Sequence, residues 1–442
     1  MSERRLQVLI NGEMVGTLVD SNNVWGFQYD SAWLNTPKAF ALSPALPLGP
    51  QTVLDGSTFR PVQWFFDNLL PEDRLREVIG HEEGILAADA FGLLERLGAE
   101  SAGAVVLQLP GAPEAPKGLQ ALPWPALTKR IRQLPTASLS QQAPKRMSLA
   151  GAQHKMVVNF DPATGQLEEP LKGTPSTHIL KPNSTAPGYP HSVVNETFTM
   201  RLAATLGLNV PRVWRLYVPE PVFIIERFDR RWGPQASEPL RLHTLDGCQS
   251  LNESGVFKYT SATFPKLKEL IGQCRNKAAA RMEVFRWILF NTLVGNSDCH
   301  LKNISFLIDR EGQRVAPFYD LLCTAVYHTR VYADEGAVWP DEALAMPVAG
   351  ATRFGHVTRN KLIETGIQLG LATKTAERVT HQMVDKLPGA VDTLIAQMDD
   401  EYDDANLMGN ADETTRGAER QLLRAIRHVV IGDMLSNVAT PG

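Results

Sequence analysis

Three oxygen-bearing side chains stand in an order that phosphoryl transfer would use. In GNSDCHLKNISFLI (295–308) Asp298 is followed five residues later by Asn303, and seventeen residues further on APFYDLL (316–322) carries Asp320. Transfer of a phosphoryl group to a hydroxyl needs one carboxylate to orient the attacking hydroxyl and take its proton. It also needs an amide oxygen and a second carboxylate to hold a divalent cation against the phosphates. Asp298, Asn303 and Asp320 fit those roles in that order, and an oxygen-only ligand set suits magnesium, a hard cation. Each residue alone has an ordinary reading as a cap or a turn residue. Their joint order and spacing point to chemistry.

The other half of such a site should lie upstream. Contact with the α- and β-phosphates calls for a lysine on a strand, and Lys181 closes the apolar run THILK (177–181). Glu196, in the first turn of a helical stretch, is a candidate partner for that lysine, although the helix dipole alone also favours an acid there. MSLAGAQHK (147–155) precedes the first strand of this region. Gly151 is its only glycine, so it is not a G-x-G-x-x-G loop. Its small residues Ser148, Ala150, Gly151 and Ala152 would still let backbone N–H groups approach a phosphate; a plain turn fits them too. IIERFDRR (224–231) lies where strand-like segments give way to helical ones, the natural place for a hinge that offers backbone groups to a base. A strand end with a solvated charge run is the alternative.

The elements that must position these residues are readable. LQVLINGEMVGTLV (6–19) is two apolar runs around Asn11-Gly12, a favoured two-residue hairpin turn. VQWFFDNLLPEDRLREVI (62–79) is helical with a break at Pro71, and GAVVLQL (103–109) reads as a strand. Residues 110–125, PGAPEAPKGLQALPWP, hold five prolines and two glycines, which argues against a helix or a central strand and predicts a semi-rigid linker. KMVVNF (155–160), THILK, VWRLYV (213–218) and PVFIIERF (221–228) read as strands, around an amphipathic helix at 193–208 that Gly207 and Pro211 terminate. Beyond about residue 240 helical periodicity dominates, at 282–295, 375–398 and 419–435. Asp298 therefore follows a helix, Asn303 precedes a strand and 309–313 make a turn. DDEYDDANLMGNADE (399–413) reads as a solvated acidic loop.

Composition sets the frame. The 442 residues are 43% hydrophobic and 21% charged, a globular balance too long for one core, so two or three packed units are expected. A net charge of −4 gives no general electrostatic case for nucleic acid. Cys248, Cys274, Cys299 and Cys323 have neither CxxC nor zinc-finger spacing and read as thiols in a reducing cytosol. The charged N-terminus breaks at Asn11-Gly12, too early for a secretory signal, and no apolar run is long enough for a membrane span, so a cytoplasmic protein without a membrane partner is expected.

Taken together, SLAGAQHK (148–155), THILK, GLNVP (207–211), ERFDRRW (226–232), SDCHLKN (297–303) and PFYD (317–320) resemble the HipA family, the kinase toxins of bacterial toxin–antitoxin pairs. FFDNLLPEDR (65–74) and GAESAGAV (98–105) match it as well, so the resemblance runs collinearly over about residues 5–400. It implies an α+β, two-lobed protein-kinase-like fold. An N-terminal β-rich subdomain (1–110) and a Pro-rich linker (111–125) would precede a kinase N-lobe (126–235) and a mainly helical C-lobe (236–442). By the same resemblance Ala150, Gly151, Ala152, Gln153, His154 and Lys155 form the phosphate loop, and Lys181 contacts the nucleotide. Glu226, Arg227 and Phe228 form the adenine hinge. Asp298 is the base, while His300, Lys302, Asn303, Tyr319 and Asp320 line the ATP site, with Asn303 and Asp320 on Mg2+. Ser148 is the implied autophosphorylation site, and Asp229 and Arg230 are implied to be structural.

The resemblance also implies a dimeric helix-turn-helix HipB-like antitoxin as partner, operator DNA reached through it, and an aminoacyl-tRNA synthetase as substrate. Two positions depart from the family pattern: His154, expected as an exposed side chain, and Cys299 in the catalytic loop. Two other classes share part of the pattern. Asp298-x-His300-x-x-Asn303 is also similar to the catalytic loop of phosphatidylinositol kinases, which would mean a lipid or small-molecule substrate. A nucleotide-binding co-repressor without catalysis would not need Lys181, Asp298, Asn303 and Asp320 all in place.

Overall fold

A computed structural model describes residues 3–233, 236–403 and 409–439. The chain forms two compact units, neither of them a contiguous stretch. One comprises Met1–Lys181, Glu226–Phe257 and Ser305–Ala316; the other comprises Pro182–Ile225, Lys258–Ile304 and Pro317–Gly442.

The first unit begins with the expected hairpin. Arg4–Ile10 pairs antiparallel with Glu13–Ser21, and both turn residues, Asn11 (φ 50°) and Gly12 (φ 84°), are left-handed as a type I′ turn requires. Val24–Tyr29, Val53–Leu54 and Val105–Gln108 complete a five-stranded sheet. Alternation along Arg4–Ile10 turns Leu6, Val8 and Ile10 inward, where they share a core with Phe66 of helix Pro61–Asp67 and Phe91 and Leu94 of helix Ala90–Leu97. The predicted break at Pro71 separates Pro61–Asp67 from helix Asp73–Glu83.

A second set of strands in this unit runs in the order His178–Pro182, Met156–Asp161, Gln166–Pro170 and Leu119–Ala121. The last corrects the linker reading. Leu119–Ala121 lies inside the Pro-rich stretch and pairs with Gln166–Pro170 as an exposed edge strand, the one kind of strand position that tolerates such a sequence. Helix Trp124–Ile131 follows at once with a proline in its first turn, where the missing N–H costs nothing. Arg130 fastens it to Gln166–Pro170 by a bidentate pair with Glu169, at 2.6 and 2.9 Å. His243–Asp246, Ser305–Asp309 and Gly312–Val315 form a third, three-stranded sheet, so the hairpin expected after Asn303 is present.

The second unit is mainly helical. Helix Ser192–Thr205 ends where Gly207 is left-handed (φ 79°), as expected, and hairpin Val213–Tyr217/Pro221–Glu226 follows. Helices Phe264–Gln273, Lys277–Leu293, Arg359–Gln368, Thr373–Asp400, Glu413–Ala425 and Ile431–Ala439 supply most of the rest, the last two joined through a π-helical turn at Ile426–Val430, and Ala343–Val348 pairs with Ala351–Arg353 as a short hairpin. The acidic stretch is more ordered than a solvated loop. Helix Thr373–Asp400 enters it, residues 404–408 lie outside the described residues, and Tyr402 is buried. The hydroxyls of Tyr402 and Tyr217 donate to Glu419, which also pairs with buried Arg215 at 3.0 Å, tying Glu413–Ala425 to the hairpin. The cut expected at 235/236 is not where the units divide, because residues 236–257 and 305–316 belong to the first unit.

Candidate active site

The candidate residues divide between the units. In the first, the loop expected to meet phosphate is seated in the core. Ser148 is 0% exposed; its N–H donates to the Glu100 carbonyl at 2.6 Å and its hydroxyl to the Leu69 carbonyl at 2.8 Å. Gly151 has φ 105°, a conformation that favours glycine; a Cβ there would lie 2.8 Å from Lys155 Nζ, a flexible side-chain end that could move aside. The Lys155 ammonium reaches back 2.6 Å to the Ala150 carbonyl. His154 is 8% exposed rather than solvated, which corrects the expectation. Burial lowers its pKa below the ordinary histidine value, with Glu82 opposing and Arg74 assisting. Lys181 sits buried on strand His178–Pro182, whose neighbour Met156–Asp161 begins directly after Lys155.

The hinge candidates rest on a buried ion cluster. Glu100 is fully enclosed by Lys145 Nζ (2.6 Å), Arg227 Nη1 (2.9 Å), Arg230 Nη2 (2.5 Å) and Arg241 Nη2 (3.0 Å). Burial alone would raise its carboxyl, but Arg241, Lys145, Arg230 and Arg227 hold it well below the usual carboxylate range. Asp229 pairs with Arg227 at 2.7 Å and accepts the Gly103 N–H at 2.6 Å. The structural reading of Asp229 and Arg230 therefore holds, and it extends to Arg227. The Arg227 guanidinium is committed to the cluster and its N–H donates to the Thr177 carbonyl. Its backbone carbonyl accepts the Arg230 N–H at 3.3 Å, so only that oxygen's second lone pair is left to serve a ligand. Glu226 and Phe228, on either side, are half-buried.

In the second unit, helix Lys277–Leu293 ends at Gly295, left-handed at φ 67°, where a Cβ would meet Val430 at 2.5 Å and Ala325 at 2.9 Å. The chain can turn into the loop there only because that residue is glycine. Asn296 braces the turn, donating to Asn291 Oδ1 at 2.7 Å and accepting the Asp298 N–H at 3.0 Å. Thr324 Oγ1 accepts the Ser297 N–H at 2.6 Å. The Asn303 amide donates 2.7 Å to the Asp298 carbonyl, closing the D-x-x-x-x-N loop and leaving Oδ1 as the acceptor end of that side chain. His300, Lys302 and Asn303 are buried, whereas the Asp298 side chain is 48% exposed, a carboxylate presented outward from a rigid loop.

Tyr259, which the sequence did not flag, donates its hydroxyl to Asp298 Oδ1 and sets its ring edge-on to His300, centroids 4.8 Å apart. His300 Nε2 lies 3.8 Å from the same oxygen. Tyr319 donates to the Lys302 carbonyl at 2.7 Å, which ties the segment carrying Asp320 to the loop. Asp320 itself is left-handed (φ 58°), a conformation non-glycine residues seldom adopt outside turns and functional sites. Glu196 is buried on helix Ser192–Thr205.

Among the described residues no group of three or more His, Cys, Asp or Glu side chains converges as a metal site. Two protein oxygens plus substrate phosphates is the ligand set usual for magnesium. Among the same residues no helix is long and apolar enough to cross a membrane.

The structure and the sequence both place the chain among known kinases. Residues 6–108 match the HipA N-terminal domain and residues 147–391 the HipA-like C-terminal domain. The serine/threonine-protein kinase toxin HipA of Shewanella oneidensis is 32% identical over 73% of this chain and 76% of its own length. The Sinorhizobium fredii protein Y4mE is 35% identical over 74% of this chain and 79% of its own length. The solved complex of S. oneidensis HipA with HipB and its operator DNA contains a chain that superposes with a TM-score of 0.76. That pair is 26% identical over 99% of this chain and 100% of the other. The fold is thus the α+β, kinase-like fold of that structure. The chain belongs to the HipA family of kinase toxins.

Proposed function

We propose that the chain is an ATP- and magnesium-dependent serine/threonine protein kinase and the toxin of a toxin–antitoxin pair. The observation that carries this reading is the loop from Gly295 to Asn303, which holds a half-exposed carboxylate over a buried, fully braced backbone. Asp298 orients the acceptor hydroxyl and takes its proton as the oxygen attacks the γ-phosphorus and ADP departs. Tyr259 and His300 fix the side chain that does this. Asn303 Oδ1 and the Asp320 carboxylate are hard oxygen donors suited to magnesium, which supplies charge neutralisation on the phosphates when bound. Lys181 and the backbone of 150–155 serve the phosphates, with Lys155, Gln153 and His154 shaping that loop. The backbone of Glu226, Arg227 and Phe228 serves the adenine. Lys302 and Tyr319 hold the loop.

Ser148 is the autophosphorylation site in this reading. Its hydroxyl is enclosed and hydrogen-bonded, so the loop must leave its seat to be modified. A phosphate of about two charges cannot return to a site with no solvent and a carbonyl partner. The relative of known structure is bound to HipB and operator DNA. By analogy this chain takes a HipB-like antitoxin and reaches operator DNA through it, as suits a net charge of −4. An aminoacyl-tRNA synthetase in the cytoplasm is the proposed substrate.

The test is incorporation of labelled γ-phosphate, with peptide mapping, into the unphosphorylated chain, Asp298→Asn and Ser148→Ala. Label on Ser148 that is lost in Asp298→Asn, with Ser148→Ala still labelling a synthetase in lysate, is the expected result. A folded wild type that labels neither itself nor any lysate protein overturns the reading.

A further inference from the structure

The second unit contains a cavity of about 230 Å³ that none of the roles above uses. It is walled by the end of helix Ser192–Thr205, helix Lys277–Leu293 and helix Thr373–Asp400. Its charge is one-sided. Arg286, Arg378 and Lys386 line it, and no aspartate or glutamate does. Arg378, Gln382 and Lys386 follow one another at intervals of four along Thr373–Asp400, so they form a single stripe on one helix face. Their acidic chain neighbours Glu377 and Asp385 lie about 100° around the helix. Among the described residues none of the three cations is in an ion pair.

Arg286 is the most telling of the three. One edge of its guanidinium donates 2.8 Å to the Leu206 carbonyl, satisfying an orphan acceptor where helix Ser192–Thr205 ends. Its Nε, by contrast, is buried with no acceptor. Buried donors on a cation usually have a partner, so this guanidinium is incompletely satisfied where it borders the cavity. The remaining lining is apolar: Leu206, Val379 and Met383 are buried, and Met282 is partly so.

We propose that this cavity binds a small organic phosphate monoester, its dianion held by Arg286, Arg378 and Lys386 and its apolar body against Met282, Val379 and Met383. Two guanidinium groups and an ammonium match a doubly charged tetrahedral oxyanion, and Arg forks suit phosphate oxygens in pairs. A carboxylate would leave most of that positive charge unanswered. The volume is below the roughly 300–1,000 Å³ of sites for drug-sized ligands, which suits a phosphate on a short body. The site is independent of the phosphoryl-transfer reading.

The probe is phenyl phosphate, titrated calorimetrically into the full-length chain at fixed ionic strength, with inorganic phosphate alongside. Expected are saturable one-site binding, at least tenfold tighter for phenyl phosphate than for inorganic phosphate, and at least tenfold weakening in the double variant Arg378→Gln/Lys386→Gln. Both residues are exposed, so that variant keeps the fold, which circular dichroism verifies; Arg378→Gln alone, at severalfold weakening, is the second line. Lys181→Met leaves the binding unchanged, separating this cavity from any phosphate site on the first unit. Absence of saturable heat, an unchanged affinity in the double variant, loss of binding in Lys181→Met, or equal affinity for inorganic phosphate would each overturn the proposal.

Discussion

Replacing Glu100 by glutamine changes almost no volume and removes the one acid that faces Lys145, Arg227, Arg230 and Arg241 together. Four buried cations would then be answered by Asp229 alone, which reaches only Arg227 and Arg230. The glutamine amide would also present donors to donors. Breaking a buried pair by removing one partner typically costs about 3–5 kcal/mol, because the remaining charge stays desolvated. The strain is already visible in Lys145, whose pKa burial pushes down to about 8 even with Glu100 in place. A unit of this size loses roughly 2–4 °C of Tm per kcal/mol, so Glu100→Gln should melt on the order of 10 °C lower. The assay is thermal unfolding by far-UV circular dichroism at pH 7, with Glu114→Gln, at an exposed position of the same unit, as control. A Glu100→Gln melting point within 2 °C of the wild type's, roughly the noise of the assay, would refute the argument that this carboxylate balances the cluster.

Other consequences can be measured separately. His243 is buried, donates to the Leu42 carbonyl at 2.7 Å and has its pKa lowered to about 4 by burial. Between pH 6.5 and 4 the unfolded chain takes up a proton that the native state refuses, so stability is full above 6.5 and falls as pH drops. The loss is roughly 3 kcal/mol; His243→Gln should flatten that limb of a denaturant-midpoint-versus-pH curve. Gly295→Ala drives a methyl into Val430 and Ala325 at a left-handed position; it should cost about 1–3 kcal/mol in chemical denaturation and depress phosphoryl transfer more than nucleotide binding. The Cys299 thiol is buried and pushed up to about 12 by burial and Asp298, so it should resist a thiol reagent at pH 8 until the chain is denatured.

Local chemistry was legible wherever the physics is local. Asn11-Gly12 declares its hairpin because few other pairs accept two left-handed residues. Pro71 announces the helix break, and the strand-like run after Asn303 with its turn at 309–313 gives the strand pair that follows the Asp298–Asn303 loop. The reading failed where partners are distant. Local sequence leaves ERFDRR open between a hinge and a solvated strand end, because it is Glu100, 127 residues from Arg227, that turns its charges inward. The sequence around His154 shows nothing of the burial that Glu82 and Arg74 accompany, so the side chain reads as exposed. Tyr259 carries no spacing signal, since its role comes from the return of a loop onto Asp298. The acidic stretch hides Tyr402, an aromatic held by Glu419 and by Arg215, 187 residues away.

The covalent path has a consequence for how the molecule is made. The polypeptide passes from one unit to the other at 181/182, 225/226, 257/258, 304/305 and 316/317, so no contiguous gene fragment encodes either unit. A nascent chain that has delivered Lys181 still lacks Arg227, Arg230 and Arg241, and Glu100 must wait for them. At ~5–20 residues per second, synthesis from Lys181 to Ala316 lasts on the order of ten seconds. Throughout that interval the first unit is an unfinished body on the ribosome, and it cannot close before the stretch that carries Asp298 and Asn303 has been synthesised. Splitting the gene between lobes, or grafting one lobe onto a relative, would sever strands that each half needs from the other's stretch of sequence.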